Sequence, residues 1–271
     1  MENQTDRKKV SVRTLQKMKA EGEPIVMLTC YDASFATLED KAGVDMMLVG
    51  DSLGMTIQGR SSTIGVSIED MVYHTKCVAQ GNKTAFIVSD MSFGSYLVNE
   101  DEAIANAVKL MQAGANMVKI EGGEEVTSMV RRLTTMGIPV CGHLGFTPQS
   151  VNAIGGYYVQ GRGEKAEQLK KSALALEEAG ASCLVMEMVP TPIATEVTNA
   201  LRIPTIGIGA GIGCSGQVLV LHDVLGIYPN RTFRFAKNFM VGSDSLQSAV
   251  RSYVKAVKNR EFPAPENSFS E

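Results

Sequence analysis

The sequence has no tryptophan, no closely spaced pair of cysteines and no apolar run long enough to cross a membrane. A membrane-spanning helix needs about 20 predominantly apolar residues, and residues 1–20 are polar and charged, unlike a signal peptide. Neither sign of charge dominates, because 26 Lys and Arg face 29 Asp and Glu, which gives a net charge of -3. We therefore expect a cytoplasmic protein that binds neither membranes nor nucleic acid.

The cysteines are too few and too scattered for a disulfide framework. Their number is odd, and none stands in the C-x-x-C spacing that is typical of thiolate zinc sites. The sequence therefore predicts five reduced thiols, at Cys30, Cys77, Cys141, Cys183 and Cys214.

Eight short apolar runs alternate with segments of helical periodicity. The runs lie near residues 24–31, 45–50, 84–90, 116–122, 139–145, 182–188, 204–211 and 217–223. The segments between them carry apolar residues at three- and four-residue spacing and often end on Gly, as helices do. Eight strand–helix units in about 250 residues predict an α/β fold, a (β/α)8 TIM barrel. An open doubly wound sheet, built from the same local units, is the alternative.

No linker or internal repeat divides the chain, so we predict that residues 1–271 form a single barrel domain. Residues 10–22 resemble an extra N-terminal helix that closes the bottom of the barrel, and residues 246–258 resemble a last helix. Residues 1–10 and 260–271 are predicted tails, the second of them exposed. The short GIGCSG connection before the eighth run leaves little room for a helix.

Four carboxylates stand at the ends of the apolar runs: Asp51, Asp90, Glu121 and Glu187. Active sites of parallel barrels form at the carboxyl ends of the strands, so these side chains are expected to meet there. Buried carboxylates need a counter-charge, because desolvation of an unpaired ion is costly. With oxygen ligands and no Cys or His pair at metal spacing, the pattern favours Mg²⁺ first and Mn²⁺ second.

Two further polar residues accompany this set. Lys119 precedes Glu121 by two positions and leaves the same face of its strand, so a plain ion pair is an alternative to a metal. His143 ends the fifth run and either polarises or orients a ligand or anchors its strand. The glycine-rich segment at 207–213 lies too late in the chain for a dinucleotide fingerprint, which follows an early strand.

Several motifs resemble a known family. They are VGDSLGM (49–55), VKIEGG (118–123), CGHLGFTPQS (141–150), GGYYVQGR (155–162), LVMEMVP (184–190) and IGIGAG (206–211). Together, from about residue 11 to the C-terminal segment, the chain resembles the ketopantoate (3-methyl-2-oxobutanoate) hydroxymethyltransferases. The resemblance implies a barrel enzyme of pantothenate biosynthesis that transfers a hydroxymethyl group from 5,10-methylenetetrahydrofolate to 3-methyl-2-oxobutanoate, giving 2-dehydropantoate, with Mg²⁺. It also implies a homo-oligomer, a decamer built from pentameric rings.

The resemblance also implies roles for individual residues. Metal ligands would be Asp51, Asp90 and Glu121. Contacts to the oxo acid would come from Asp51, Ser52, Asp90 and Lys119. Glu187 would be the catalytic proton acceptor, and its apolar neighbours Met186, Met188 and Val189 suit a base of raised pKa. Two departures, the MSF segment (91–93) and Tyr158, leave the metal set untouched but fall in loops near the site.

Two other functions fit parts of this pattern. Another metal-dependent 2-oxo acid aldolase or lyase, of the phosphoenolpyruvate and isocitrate type, would share the carboxylates but not the motifs. A catalytically silent barrel serving as an oligomeric scaffold would have no reason to keep the full set Asp51, Asp90, Lys119, Glu121 and Glu187.

Overall fold

The computed structural model describes residues 7–227 and 232–270. Its strands are β1 (Ile25–Thr29), β2 (Met46–Val49), β3 (Phe86–Asp90), β4 (Met117–Glu121), β5 (Val140–Gly145), β6 (Cys183–Glu187), β7 (Thr205–Ile208) and β8 (Gly216–Leu219). They form a closed barrel in chain order, and every neighbouring pair, including β1 with β8, is parallel. The predicted TIM barrel is confirmed, and the open-sheet alternative is wrong.

Helices surround this barrel. They are α1 (Val12–Glu21), α2 (Ala33–Ala42), α3 (Leu53–Thr56), α4 (Ile68–Gly81), α5 (Glu100–Ala113), α6 (Thr127–Thr135), α7 (Val151–Ile154), α8 (Lys165–Glu178), α9 (Thr191–Ala200), α10 (Leu221–Leu225) and α11 (Leu246–Lys258). Short 3₁₀ turns lie at Glu124–Val126, Pro148–Ser150 and Pro265–Asn267. Residues 209–215 join β7 to β8 without a helix, as the short GIGCSG connection led us to expect.

The strands are buried because helices cover their outer faces and side chains fill the inside. Every residue of β1 to β4 and of β6 to β8 is buried. This two-sided burial explains why the strands appear in the sequence as continuous Val-, Ile- and Met-rich runs instead of alternating ones. Among the described residues, no helix is long and apolar enough to cross a bilayer.

The predicted N-terminal helix is present as α1, and it lies near the amino ends of the strands. Ser11 caps its first turn by accepting from the Thr14 amide, and Gly22 ends it in the left-handed conformation. Lys19 Nζ donates to the Thr198 carbonyl, 2.8 Å away at the end of α9. α1 therefore packs at the end of the barrel opposite the carboxyl ends of the strands.

The predicted eighth strand, 217–223, runs too long. β8 stops at Leu219, and the following residues turn into α10 because the Leu221 amide donates to Thr29 Oγ1 at 2.8 Å. As a result, Asp223 lies on a helix at the mouth of the barrel instead of on a strand.

The prediction of an exposed C-terminal tail is wrong for most of residues 260–270, and residue 271 lies outside the described part. Phe262 is 2% exposed and meets Phe239 edge-on, with ring centroids 5.7 Å apart. The Phe269 carbonyl accepts from the Thr191 amide at 2.8 Å. The aromatic side chains of this polar segment pack against apolar neighbours. The free energy gained by burying them outweighs the preference of the surrounding polar residues for water.

Residues 1–6 of the predicted N-terminal tail lie outside the described residues. From residue 7 onward the chain packs on the barrel: Arg7 pairs with Asp45 at 2.6 Å, and the Val10 amide donates to the Thr84 carbonyl at 2.8 Å.

Candidate active site

A pocket opens at the carboxyl ends of the strands, and it gathers the residues that the sequence singled out. All seven line it: Asp51, Ser52, Asp90, Lys119, Glu121, His143 and Glu187. Its apolar lining includes Leu48, Val185, Ile208 and Val218. Side chains that lie up to 136 positions apart in the sequence share one pocket because parallel strands end at the same rim.

Lys119 on β4 lies at the centre of the charged residues and is 3% exposed. Its Nζ is 3.0 Å from Asp90 Oδ1 and 3.8 Å from Glu121 Oε1. Burial lowers the pKa of Lys119, but the surrounding carboxylates Asp90, Glu121 and Asp51 outweigh it and leave the pKa raised. Lys119 is therefore a fixed positive charge inside the barrel at all physiological pH values.

His143 on β5 connects this group to Glu187 on β6. Its Nδ1 is 3.3 Å from Lys119 Nζ and 3.4 Å from Glu121 Oε1, and its Nε2 is 3.4 Å from Glu187 Oε2. An ammonium group cannot accept a hydrogen bond, so the neutral tautomer compatible with Lys119 carries its proton on Nε2. Nε2 then carries a proton whether the ring is neutral or protonated, and it lies 3.4 Å from Glu187 Oε2, outside hydrogen-bond geometry.

The pKa values of Glu187 and His143 respond to this contact. Burial raises the pKa of Glu187, and the neighbouring His143 offsets only part of that rise. Burial and Lys119 lower the pKa of His143, but Glu121 and Glu187 outweigh them and leave it raised. A carboxylate with a raised pKa is a stronger base than an exposed one, which suits proton abstraction.

Asp51 and Asp90 lie side by side at the ends of β2 and β3. The Asp51 amide donates to Asp90 Oδ2 at 3.0 Å. Burial, followed by the charges of Asp90 and Glu121, raises the pKa of Asp51 well above its usual range. The pair thus has more negative charge than Lys119 alone compensates, and an additional cation would stabilise it.

Gln149 links Asp51 to Glu121, and it is not among the site residues predicted from the sequence. Its backbone amide donates to Glu121 Oε2 and its Nε2 to Asp51 Oδ2, both at 2.9 Å. Tyr96 OH in turn donates to Gln149 Oε1 at 2.7 Å. A neutral glutamine gives no periodic or charge signal; its place inside the CGHLGFTPQS motif is the only pointer in the sequence.

Ser52 follows Asp51 and lies at the pocket edge. Its Oγ is 2.9 Å from Tyr31 OH, a buried phenol at the end of β1. This hydroxyl pair is neutral, so it can donate to or accept from a bound anion without adding charge.

The backbone around Glu187 is held in a demanding conformation. Met188 has φ of 49°, in the left-handed region that a methionine rarely adopts. Gly145 on the neighbouring strand has φ of 93°, and a Cβ there would lie 2.2 Å from the Glu187 carbonyl oxygen. Such strain, about 1–3 kcal/mol for a non-glycine residue, persists where surrounding contacts over-determine the position of a functional side chain.

The donor set fits a hard divalent cation. Asp90 Oδ1 and Glu121 Oε1 are buried next to the single ammonium of Lys119 but outside hydrogen-bond geometry, so both oxygens can still accept a ligand. Within the described residues no three His, Cys, Asp or Glu side chains converge closely enough to enclose an ion. Mg²⁺ commonly binds through one or two carboxylates and completes its shell with water and substrate oxygens, so an open arrangement of carboxylates suits it.

Comparison with known proteins places this site in a family. A sequence profile described as ketopantoate hydroxymethyltransferase matches residues 9–265. The 3-methyl-2-oxobutanoate hydroxymethyltransferase of Neisseria gonorrhoeae (strain NCCP11945) is 58% identical over 262 residues, which covers 97% of this chain and 100% of that protein. The enzyme of the same name from Chromobacterium violaceum is 56% identical over 261 residues, covering 96% of this chain and 100% of its own.

Solved structures of lower similarity share the fold alone. Phosphonopyruvate hydrolase, in a complex with oxalate and Mg²⁺, has a TM-score of 0.60 at 12% identity, covering 78% of this chain and 80% of that one. Phosphoenolpyruvate phosphomutase from Streptomyces platensis subsp. rosaceus has a TM-score of 0.61 at 12% identity, covering 80% and 83%. The barrel is thus common to several enzymes, whereas the long match at more than 50% identity is specific, and the chain belongs to the ketopantoate hydroxymethyltransferase family.

Proposed function

We propose that this protein transfers a hydroxymethyl group from 5,10-methylenetetrahydrofolate to 3-methyl-2-oxobutanoate, forming 2-dehydropantoate for pantothenate and coenzyme A synthesis. The observation that carries the proposal is the shared pocket of Glu187, Lys119 and the Asp51–Asp90 pair. The names of the relatives supply the oxo acid and the transferred group.

The oxo acid binds as an anion beside Lys119. Its carboxylate pairs with the buried ammonium, and Ser52 Oγ with Tyr31 OH offers a neutral hydrogen-bonding partner at the rim. The apolar lining of Leu48 and Val185 accommodates the two methyl groups. This placement directs C3 of the substrate toward Glu187.

Glu187 removes the C3 proton. The ketone activates this carbon, and an apolar, buried carboxylate of raised pKa is suited to accept the proton. His143, with Nε2 3.4 Å from Glu187 Oε2, holds the carboxylate in position and stabilises its ionised form before the proton moves. The carbanion then forms the new C–C bond to the one-carbon unit of the donor, and water supplies the oxygen of the hydroxyl group. Both C–N bonds of that unit break, and tetrahydrofolate leaves with the C3 proton and one proton of the water on its two nitrogens.

A divalent cation completes the charge balance of the site. Asp51 and Asp90 would hold Mg²⁺, or alternatively Mn²⁺, with Glu121 contributing directly or through water. When bound, the ion polarises the keto oxygen and offsets the negative charge that develops there. The surplus of buried carboxylate over Lys119 supports this assignment.

Proton exchange tests the first half of the reaction by itself. We expect the protein with Mg²⁺ to replace the C3 hydrogen of 3-methyl-2-oxobutanoate by deuterium in D₂O, without any folate, as followed by proton NMR. Addition of 5,10-methylenetetrahydrofolate should then yield 2-dehydropantoate. Absence of exchange even with the donor present would contradict the proposal, and product formation from free formaldehyde as the sole donor would favour an aldolase instead.

Gln149 is expected to set the affinity for the cation. Replacing it by Leu removes the side-chain donor to Asp51, which leaves that carboxylate less well oriented, while the backbone donor to Glu121 remains. Loss of such an outer partner typically weakens metal binding by about 10–100-fold. Titration calorimetry with Mg²⁺ measures this change, with Gln168→Leu on the surface of α8 as the control; equal affinities of wild type and Q149L would contradict the role.

We also propose that the protein forms a homo-oligomer and lies in the cytoplasm, as its family membership implies. The decamer stays a prediction that light scattering can test against the 29.1 kDa monomer. All five cysteines are free, which supports a reducing compartment such as the cytoplasm.

A further inference from the structure

Asp223 lines the same pocket but has no part in the reaction described above. It lies on α10, directly after β8, whereas Lys119 and Glu121 lie on β4. In an eight-stranded barrel closed in chain order, β8 and β4 are diametrically opposed. Asp223 therefore faces Lys119, the proposed partner of the oxo acid carboxylate, across the pocket.

The Asp223 carboxylate is buried without a partner. The residue is 9% exposed, and among the described residues no hydrogen bond or ion pair reaches its side chain. Burial alone raises the pKa of Asp223 to about 6, so the group is mostly ionised at neutral pH. A buried carboxylate that no protein group satisfies is ready to accept hydrogen bonds from a ligand.

The position of this carboxylate is fixed. The Leu221 amide donates to Thr29 Oγ1 at 2.8 Å at the start of α10, and the Phe239 amide donates to the Val224 carbonyl at 2.8 Å. Gly226 ends the helix in the left-handed conformation. Asp223 thus lies on a short helix that hydrogen bonds hold at both ends.

Aromatic rings form the neighbouring wall of the pocket. Phe233 and Phe235 stack with centroids 5.1 Å apart and planes 5° from parallel. Tyr157 packs against Phe233 at 5.2 Å and against Phe146 at 4.8 Å. Phe233 is half-buried and Tyr157 is 40% exposed, so part of each side chain is accessible from the pocket.

We propose that Asp223 and this aromatic wall bind the pterin ring of the one-carbon donor. The inference rests on the proposed function, which requires a tetrahydrofolate. A pterin presents the N3–H and 2-amino donors along one edge, and two adjacent donors match the two oxygens of a carboxylate. The ring itself is flat and packs on aromatic side chains.

Charge distinguishes the two walls. The oxo acid is an anion, which Asp223 repels and Lys119 attracts. The pterin edge is neutral and carries hydrogen-bond donors, so it binds more favourably beside the Asp223 carboxylate. The oxo acid is therefore placed on the Lys119 side of the pocket and the pterin on the Asp223 side, with the reacting carbons between them.

The donor's acidic tail also has a route out of the pocket. An adjoining cleft shares Tyr157, Phe233 and Phe235 with the pocket and adds Arg162 and Arg234. Both arginine side chains are solvent-exposed, and Arg234 Nε donates to the Glu266 carbonyl at 3.1 Å. Their positive charge complements the glutamate carboxylates of a folate.

The test uses Asp223→Asn, which keeps the shape of the side chain but loses one acceptor. We expect the KM for 5,10-methylenetetrahydrofolate and the Kd for tetrahydrofolate, measured by calorimetry, to rise about 10–100-fold. Deuterium exchange at C3 without folate and the KM for the oxo acid should stay within about twofold of wild type, because neither uses Asp223. Glu178→Gln, an exposed carboxylate on α8, is the matched control.

A donor lacking the 2-amino group separates a direct contact from a structural effect. Wild type should bind 2-deamino-2-methyl tetrahydrofolate about 10–100-fold more weakly than tetrahydrofolate, whereas D223N should bind the two almost equally. Equal donor affinities in wild type and D223N, or a parallel loss of C3 exchange in D223N, would overturn the inference. Failure of the proposed function is distinct, since it would appear in wild type as a protein that neither binds tetrahydrofolate nor uses its methylene derivative.

Discussion

Glu187→Gln is expected to slow deuterium exchange at C3 of 3-methyl-2-oxobutanoate by about 10²–10⁴-fold, the usual contribution of a positioned base. The variant keeps the size of the side chain and its contact region with His143, so binding of Mg²⁺ and of the oxo acid should remain. The variant lacks the carboxylate that accepts the C3 proton in the first step.

The surroundings of Glu187 explain why the effect should be large. The residue is 9% exposed, Ile208 is its register partner on β7, and Val185 and Ile208 line the same pocket. Water is therefore a poor substitute for the missing base. Glu121 is a poorer base: burial raises its pKa, but His143, Lys119 and the Gln149 amide outweigh burial and leave the pKa lowered.

Two controls make the result decisive. Calorimetry with Mg²⁺ and the oxo acid shows whether the E187Q pocket is intact, and Glu178→Gln on the surface should exchange like wild type. If E187Q binds both ligands and still exchanges the C3 proton at the native rate, another group is the base and the assignment fails.

The barrel and its charged residues could be predicted from the sequence because both follow from parallel strands. Strands buried on both faces leave continuous apolar runs, and the residues that follow such runs meet at one rim. Asp51, Asp90, Glu121 and Glu187 all obey this rule, and the structure brings them into one pocket. For these four residues, the position at the end of a predicted strand was enough to place the side chain in the pocket.

Other parts of the site obey no local rule. Gln149 reaches Asp51 across 98 positions through a neutral side chain that follows β5 in a 3₁₀ turn. Asp223 was hidden because the apolar run of β8 continues without a break into α10, and hydrophobicity alone does not separate a strand from a buried helix. Both residues owe their roles to tertiary contacts that only the folded chain reveals.

Glu39 shows the same limit outside the pocket. The sequence places it in α2 beside Asp40 and Lys41, where a charged residue is normally solvated. The helix turns it inward with Ala36, and Glu39 is fully buried with neither carboxylate oxygen hydrogen-bonded. Burial raises the pKa of Glu39 well above its usual value of 4.5. The neighbouring Cys30 thiol offsets only part of this rise, and the charge of Asp32 adds to it.

Glu39→Gln is therefore expected to stabilise the protein as pH rises. An acid whose pKa is raised by folding destabilises the native state above its unfolded pKa, because the unfolded chain releases the proton more readily. Below about pH 4.5 this penalty vanishes, and above it stability falls by at most about 1.4 kcal/mol per pH unit until the folded pKa is reached. Glutamine does not titrate, so E39Q lacks this slope.

Urea denaturation of wild type and E39Q between pH 5 and pH 8 measures the difference directly. All other titrating groups are common to both proteins and cancel, so the gap in unfolding free energy should widen with pH to about 1–3 kcal/mol. Glu39→Met, which also removes the unsatisfied oxygens, should be stabilised at every pH, while Glu178→Gln should follow wild type. If the unfolding free energies of wild type and E39Q instead changed with pH in parallel, Glu39 would be ionised and adequately paired in the folded protein. Because Glu39 does not line the pocket, C3 exchange by E39Q should equal that of wild type, which separates this stability effect from the chemistry of the site.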